Sequence, residues 1–452
     1  MNTSDLSELV QYSIQAHERF RSHWESFPAE DSAHSLKDGI DVLNRLEERL
    51  EDNYPFFHPR YAGQMLKPPH PIAIAAYLMA MQINPNNHAL DGGPATAKME
   101  TEAVRKIASM FGYDSFLGHL TSSGTIANLE ALWIAKSLHP DKKIAFTKNA
   151  HYTHQRMCGV INAEYVVLDS FDSIEEDILR HHIGTIVVTL GTTSTGSVEP
   201  LDQILPLAHR MGVRVHADAA YGGFFTLLAQ TDKPPITAPP FLALKNADSI
   251  VVDPHKHGLQ PYGCGCILFK DPDVGRLYKH DSPYTYFTSK ELHLGEISLE
   301  CSRPGAAAAA LWATLEYLPL HPETGLGAIL SKTRASALRF SEMLSTSSKL
   351  HEFMPPDLDI VTYFPKPALF TASEVSRTTE NAFIDLMSRK ERPLYLATLI
   401  VDSQLISRRY QDFIPDRPTT KIFRSVFMKP EHYDFLPVFL KELEDILTLP
   451  EH

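Results

Sequence analysis

The 452-residue chain contains few cysteines and has no excess of basic residues. Its four cysteines are too few for a disulfide framework, so we interpret them as reduced thiols, which favours a cytoplasmic location. The formal net charge is −13, and no segment strings lysines and arginines into a basic stripe. Nucleic acid is therefore not an expected partner.

Long apolar runs are also missing. The longest, residues 72–81 and 306–318, are shorter than the ~20 residues that span a bilayer, and the first residues lack the pattern of a signal peptide. We therefore expect no membrane association, and we predict no metal site. Apolar residues make up 43% and charged residues 21% of the chain, which is typical of a globular protein with a sizeable core.

The order of hydrophobic patterns predicts an α/β fold. Residues 1–50 show the spacing of two amphipathic helices. From about residue 95, helical stretches alternate with six β-branched runs, which predicts a mostly parallel sheet covered by helices. We predict an N-terminal helical arm over 1–94, a large domain over 95–329 and a small C-terminal α+β domain over 330–452. The six runs are KKIAFTK, AEYVVLD, GTIVVTL, VRVHADA, DSIVVDP and GCILFKD.

Lys256 lies between two histidines, directly after a buried-strand pattern that stops at Pro254. Ligands of α/β folds bind at the carboxyl ends of strands. A lysine that is partly desolvated and close to other cationic groups is a better amine nucleophile, as Schiff-base chemistry requires. The alternative is an ordinary solvated loop lysine.

Three other segments could complete a cofactor site. Asp218 ends another strand and could keep a pyridine nitrogen protonated, or it could cap a helix. The hydroxyl and glycine residues at 123–125 run into a helix and could hold a phosphate, or serve only as its N-cap. His151 follows a strand and could stack on a flat cofactor, although a lone histidine is more often a polar surface or core residue.

Taken together, these motifs resemble the group II amino-acid decarboxylases, which depend on pyridoxal 5′-phosphate (PLP) and have the aspartate-aminotransferase fold. The likeness is ordered and covers most of the chain. The DPHK and RPG motifs are also similar to archaeal tyrosine/aspartate decarboxylases and sphingosine-phosphate lyases, whereas DGGPATAKME departs from the usual S-P-A-x-T-E-L-E stretch. The motifs are HPRY (58–61), DGG (91–93), SSGTIAN (122–128), AH (150–151), DAA (218–220), DPHK (253–256) and SRPG (302–305).

The resemblance implies a seven-stranded, mostly parallel sheet and a PLP site. Lys256 would hold PLP as a Schiff base, Asp218 would pair with the pyridine nitrogen, and His151 and Ala220 would pack on the two faces of the ring. Ser302 would reach the cofactor from the neighbouring subunit, so we expect a homodimer with its active site at the interface. The remaining expected cofactor contacts are Ser123, Gly124, Thr125, Thr192 and His255.

The implied reaction converts an L-amino acid into a primary amine and CO2. Tyr286 or Tyr284, with a slight preference for Tyr286, would protonate the substrate at Cα. Arg424 would bind a substrate carboxylate, or else anchor a C-terminal strand. The alternatives are a carbon–carbon lyase or aldolase acting on an amino alcohol or phosphorylated amine, and a non-catalytic PLP-fold binding protein. A further substrate pocket would be formed by His58, Tyr61, Gln64 and His88.

Overall fold

The computed structural model describes residues 3–24, 35–279 and 297–447. A seven-stranded sheet, in the order β1-β7-β6-β5-β4-β2-β3, forms the large domain. Strands β2 to β6 run parallel, and β7 is antiparallel to both of its neighbours. The strands are β1 Leu117–Thr121, β2 Lys143–Thr147, β3 Tyr165–Leu168, β4 Ile183–Thr189, β5 Arg214–Asp218, β6 Ser249–Val252 and β7 Gly265–Phe269.

The six predicted β-branched runs form β2 to β7, and the predicted fold class is confirmed. Strand β1 was not predicted, because its sequence LGHLT contains a single β-branched residue. The central strands β4 and β6 are buried along their whole length, as expected for a parallel sheet with both faces covered.

Helices cover the large sheet, and several of them connect its successive strands. α5 leads from β1 to β2, and α6, α7 and α8 connect the strands from β2 to β5. The helices of the N-terminal segment and the large domain are α1 Thr3–Arg21, α2 Leu36–Leu50, α3 Pro71–Met81, α4 Pro94–Phe111, α5 Gly124–Leu138, α6 Thr153–Val160, α7 Ile174–His181, α8 Leu201–Arg210, α9 Thr226–Ala229, α10 Pro239–Leu242, α11 Gly275–Tyr278 and α12 Gly305–Tyr317.

A four-stranded antiparallel sheet, in the order β10-β11-β9-β8, forms the small C-terminal domain. The predicted boundary at residue 330 falls inside the first helix of this region. Its elements are α13 Gly325–Thr346, β8 Leu350–Met354, β9 Ile360–Pro365, α14 Ala372–Ser388, β10 Ala397–Asp402, α15 Ser403–Arg409, β11 Thr419–Val426 and α16 His432–Ile446.

The two N-terminal helices differ in how they pack. α1 lies along α3, where Ser13 Oγ donates to the carbonyl of Ala75 at 2.9 Å. α2 buries none of its residues, although its apolar residues recur at helical spacing. None of the helices in the described ranges is long and apolar enough to cross a membrane.

A buried ion pair joins α4 to the segment that precedes α12. The Arg303 guanidinium pairs with Glu100 and also donates to the carbonyls of Leu120 (2.8 Å) and Asn87 (3.0 Å). Glu100 in turn accepts from the Asn87 side-chain amide at 2.7 Å and from the Leu120 N–H at 3.0 Å. A buried carboxylate that loses its cationic partner is strongly destabilising.

We predict that Arg303→Met lowers the free energy of unfolding by about 3–5 kcal/mol, because it leaves Glu100 charged and buried. Equilibrium urea unfolding of the apoprotein measures the change. Adding Glu100→Gln to this variant should recover part of the loss, and Arg276→Met at an exposed site should cost less than about 0.5 kcal/mol. An Arg303→Met variant as stable as the wild type would contradict the prediction.

Candidate active site

One cavity opens at the carboxyl ends of β4, β5 and β6, where open α/β sheets bind their ligands. Parallel strands end at the same edge of the sheet, and this brings side chains distant in sequence together. Eight residues predicted from the sequence line the cavity: Ser123, Gly124, Thr125, His151, Asp218, Ala220, His255 and Lys256. The other lining residues are Asn128, Thr153, Thr189, Gly191, Thr193, Tyr221 and Asp253.

Lys256 projects from the turn that follows β6, where its N–H donates to the carbonyl of Asp253 at 2.9 Å. Its side chain is 22% exposed, and Nζ lies 3.0 Å from Asp253 Oδ2. Burial lowers the pKa of both His255 and His257, so both rings are neutral near pH 7. The expectation that cationic groups surround Lys256 is therefore wrong for the described residues, where both flanking histidines are neutral and Lys256 pairs with a carboxylate.

Asp218 is the last residue of β5 and is only 4% exposed. Its Oδ2 accepts a hydrogen bond from His154 Nε2 at 2.9 Å, and its Oδ1 accepts one from the Ala220 N–H at 3.2 Å. Burial alone would raise the pKa of Asp218, but the His154 hydrogen bond and the nearby Lys256 outweigh it and hold the pKa well below its usual range. The cavity therefore contains an ionised carboxylate.

His154 was not identified from the sequence, although it is the side-chain donor to Asp218. It lies fully buried in the first turn of α6, and its Nδ1 has no hydrogen-bond partner among the described residues. Because Nε2 faces a carboxylate, Nε2 carries a hydrogen and is the donor. The available signal was its position three residues after His151, in the turn that opens α6, where the His154 N–H donates to the carbonyl of His151 at 3.0 Å.

The start of α5 supplies hydrogen-bond donors to the cavity. Ser123 Oγ accepts from the Ile126 N–H at 3.3 Å, and the Ser123 carbonyl accepts from the Ala127 N–H at 3.0 Å. The N–H groups of Gly124 and Thr125 thus have no partner within the described ranges. Position 124 requires glycine, because a Cβ there would lie 2.5 Å from a carboxylate oxygen of the turn after β6.

Two further polar side chains line the cavity. His151 Nδ1 is hydrogen-bonded to Thr153 Oγ1 at 2.7 Å, and burial lowers the pKa of His151, which leaves a flat, neutral ring. Asn128 was not identified as a site residue from the sequence. Its Oδ1 accepts from His216 Nε2 at 2.7 Å, which leaves its amide N–H groups as donors. The sequence feature that could have identified Asn128 is its position one helical turn after Gly124.

Thr192, one of the predicted cofactor contacts, does not line this cavity. Its hydroxyl is hydrogen-bonded to Thr195 Oγ1 at 3.0 Å and accepts from the Ser197 N–H at 3.1 Å. The neighbours Gly191 and Thr193 line the cavity instead.

The predicted contacts from other regions that belong to the described residues do not line the cavity. Ser302 is exposed and accepts a hydrogen bond from the Asn86 side chain at 3.2 Å. His88 lies near it in the segment before α4, and its Nδ1 has no partner in the described part of the chain. The two tyrosines proposed as proton donors, Tyr284 and Tyr286, lie outside the described residues.

Arg424 lies on β11, behind the cavity wall. Its guanidinium donates to the carbonyls of Thr193 (2.7 Å), Ser194 (2.9 Å) and Gly63 (3.1 Å). Because Thr193 lines the cavity, Arg424 supports that wall in this structure, which matches the alternative of an anchoring role.

The three remaining substrate-pocket residues precede α3, and two of them contact the C-terminal part of the small domain. The His58 ring contacts Phe435 edge-on with 6.1 Å between centroids, and Tyr61 is buried, with its ring 5.4 Å from Lys429 Nζ. Gln64 is exposed.

The cavity residues fit PLP by their chemistry. A lysine amine can form a Schiff base, and an ionised carboxylate can pair with a protonated pyridine nitrogen. The free N–H groups at the start of α5, a 15-residue helix, suit a phosphate because the helix dipole is positive at that end. The flat ring of His151 suits an aromatic neighbour.

Comparison with known sequences agrees with this chemistry. The family model described as the pyridoxal-dependent decarboxylase conserved domain matches residues 139–319. The chain is 30% identical over 309 residues to a probable L-tyrosine/L-aspartate decarboxylase from Methanoculleus marisnigri, covering 67% of this chain and 80% of that protein. It is 29% identical over 335 residues to an L-aspartate decarboxylase from Thermococcus kodakarensis, covering 72% and 84%.

Solved structures show the same fold. Mouse CSAD has a TM-score of 0.78 at 18% identity, with 99% of this chain and 92% of that chain covered. Oryza sativa TDC, solved with PLP and tryptamine, has a TM-score of 0.78 at 15% identity, with 99% and 98% covered. The resemblance inferred from the motifs is confirmed: the chain belongs to the pyridoxal-dependent decarboxylase family and is a PLP-dependent amino-acid decarboxylase.

Proposed function

We propose that the chain decarboxylates an L-amino acid in this cavity, with Lys256 as the cofactor lysine and Asp218 as the partner of the ring nitrogen. The observation that carries the proposal is that an ionised, buried carboxylate and a lysine amine line the same cavity. When bound, PLP supplies a protonated pyridine ring that withdraws electrons from the bond to the substrate carboxylate.

The other lining residues have distinct roles in this proposal. Ser123, Gly124 and Thr125 hold the phosphate at the start of α5, together with His255. His151 and Ala220 pack on opposite faces of the ring. The assignments of Thr192, Ser302, Arg424 and the loop tyrosines remain predictions from the resemblance.

The contacts of Arg303 favour decarboxylation over the lyase alternative. A lyase acting on a phosphorylated amine would need a free cationic group for the substrate phosphate. The Arg303 guanidinium is committed to Glu100 and to two backbone carbonyls. The names of the relatives make L-tyrosine and L-aspartate the first substrates to test.

We predict that Lys256→Ala abolishes both the visible Schiff-base absorbance with PLP and the release of CO2. The physical reason is that this variant lacks the amine that bonds the cofactor. CO2, amine and aldehyde should be measured separately on a panel of L-amino acids. Lys270→Ala, at an exposed lysine, is the control and should behave as wild type.

Full retention of the absorbance in Lys256→Ala would assign the cofactor to another lysine. Aldehyde without CO2 from the wild-type protein would exclude decarboxylation of the amino acids tested.

We also propose that His154 acts on the cofactor through Asp218. His154→Phe removes the donor, and burial then raises the pKa of the carboxyl. We predict a loss of PLP affinity of about 10- to 100-fold, the scale of one hydrogen bond to a charged group. Titration of the apoprotein with PLP measures it. His154→Gln should recover part of the affinity because its amide can donate.

His119→Gln is the matched control for His154. His119 is also fully buried, and its Nε2 lies 2.9 Å from the carboxylate of Glu130, but it does not line the cavity. This variant should lose stability and keep its PLP affinity. PLP affinity of wild-type strength in His154→Phe would refute the role of His154.

The family resemblance and the exposed face of α2 support a homodimer, which we propose as the functional state. Leaving an apolar helix face in water is unfavourable, and a second copy of the chain could cover it. Ser302 is also exposed in the single chain, as a residue that serves a neighbouring site would be. The exposed apolar residues of α2 include Leu36, Ile40, Leu43, Leu46 and Leu50.

We predict that the double substitution Leu43→Asp and Leu46→Asp shifts the protein from dimer to monomer. Both side chains are exposed within one chain, so the fold of the monomer should persist. Light scattering coupled to size-exclusion chromatography measures the mass, and Glu48→Lys on the polar side of α2 is the control. A wild-type protein that is monomeric at all concentrations would contradict the proposal.

A cytoplasmic location is also part of the proposal. All four cysteines are free, and Cys158, Cys264 and Cys266 are buried. Free thiols are typical of a reducing compartment.

A further inference from the structure

A short segment of the small domain, Asp357 to Asp359, packs against the back of the cavity wall; we call it the docking segment. The Asp357 carboxylate accepts from the Val198 N–H at 2.9 Å. On α13, Arg334 holds the segment by donating to the carbonyl of Leu358 at 2.7 Å. The docking segment therefore joins the two domains directly beside the active site.

Two glycines of the large domain make room for Leu358. A Cβ at Gly191 would lie 3.0 Å from Leu358 Cδ1, and one at Gly222 would lie 3.2 Å from it. Gly191 also has a φ of +97°, which side chains rarely tolerate. Leu358 of the docking segment therefore packs closely against these two glycines.

Asp359, at the end of the docking segment, is fully buried. Its Oδ1 accepts a hydrogen bond from the Tyr221 hydroxyl at 2.5 Å, and its Oδ2 lies 3.2 Å from His257 Nε2. Tyr221 lines the cavity three residues after Asp218, and His257 directly follows Lys256. One carboxylate of the small domain thus contacts the chain segments that supply Asp218 and Lys256.

The three groups have defined charges. Burial alone would raise the pKa of Asp359, but His257, Tyr221 and the nearby Lys67 outweigh it and lower the pKa, so the carboxylate is ionised. Burial lowers the pKa of His257 despite Asp359, so the ring is neutral. Burial and Asp359 both raise the pKa of Tyr221, which therefore remains a hydrogen-bond donor.

The His257 ring has little freedom of its own. It packs edge-on against Tyr221 and Phe225, with 4.8 Å and 4.9 Å between ring centroids. Its Nε2 lies 3.2 Å from Asp359 Oδ2, and neither atom has a hydrogen-bond partner elsewhere in the described residues. Because His257 and Lys256 are consecutive in a tight turn, a shift of the His257 ring would move the lysine.

We propose that Asp359 is a positioning residue: from the small domain it holds Tyr221 and His257, and through His257 it orients the turn that presents Lys256 to the cavity. The proposal rests on the proposed role of Lys256 as the cofactor lysine. The small domain thus helps to set the position of Lys256 in the active site of the large domain.

Asp359→Asn tests the proposal, because it keeps the shape of the side chain and removes its charge. In addition, the Asn amide can present a donor to a ring nitrogen that is itself a donor. We expect the apoprotein to form its Schiff base with PLP about 10- to 100-fold more slowly, the scale of a misplacement of about 1 Å. The turnover number for CO2 release should fall similarly, with KM within roughly twofold of wild type. Stopped-flow absorbance and steady-state assays measure these quantities.

His257→Gln completes a double-mutant cycle. If Asp359 acts through His257, adding Asp359→Asn to His257→Gln should slow Schiff-base formation much less than it does in the wild type. Asp357→Asn is the matched control, since it alters the same segment but has no contact with the His257 ring. We expect this control to keep the wild-type rate. If Asp359→Asn does not fold, His257→Gln alone should show the slower rate.

Three results would overturn the proposal. One is a wild-type rate in Asp359→Asn with only a lower melting temperature, which would make Asp359 purely structural. The others are an equal loss of rate in Asp357→Asn and strictly additive effects in the cycle. Because the rate is measured with PLP alone, it does not depend on any amino-acid substrate. A wild-type protein that binds PLP but releases no CO2 would count against the proposed function and not against this role.

Discussion

The active site depends on keeping one carboxylate, Asp218, ionised in a place where water is excluded. Burial by itself favours the protonated acid. The hydrogen bond from His154, together with the nearby Lys256, reverses this preference. Without that charge, the same cavity would offer an amine and a phosphate cradle but no group to keep a pyridine ring protonated. Chemistry at Lys256 therefore depends on His154, which does not line the cavity but donates a hydrogen bond to Asp218.

Two other buried carboxylates, Glu100 and Asp359, also contact several polar groups, and each joins segments that are far apart in sequence. Glu100 connects α4 to Arg303 before α12. Asp359 connects the small domain to the chain segments around Asp218 and Lys256. Each carboxylate is costly without its donors, so each fixes the relative position of the elements that supply them. The domains are thus aligned by polar contacts as well as by their apolar cores.

Much of this arrangement could be predicted from the sequence, because β-branched runs identify strands and parallel strands end at one edge of a sheet. That reasoning placed Asp218 and Lys256 together. It did not identify His154, because a single histidine carries no signal until the phase of its helix is known. It also misjudged the surroundings of Lys256, since the burial that neutralises His255 cannot be read from neighbouring letters. The sequence also could not show that Gly191 and Thr193, and not Thr192, line the cavity. The course of a tight turn decides which of its residues face a cavity.

The most direct test of this account is the protonation state of the bound cofactor. Nitrogen NMR of the protein loaded with PLP labelled with ¹⁵N in its ring reports whether the pyridine nitrogen carries a proton. The account predicts a protonated nitrogen in the wild type throughout the neutral pH range, and its loss when Asp218 is replaced by Ala. A nitrogen that is unprotonated in the wild-type protein near pH 7 would contradict the central role of Asp218.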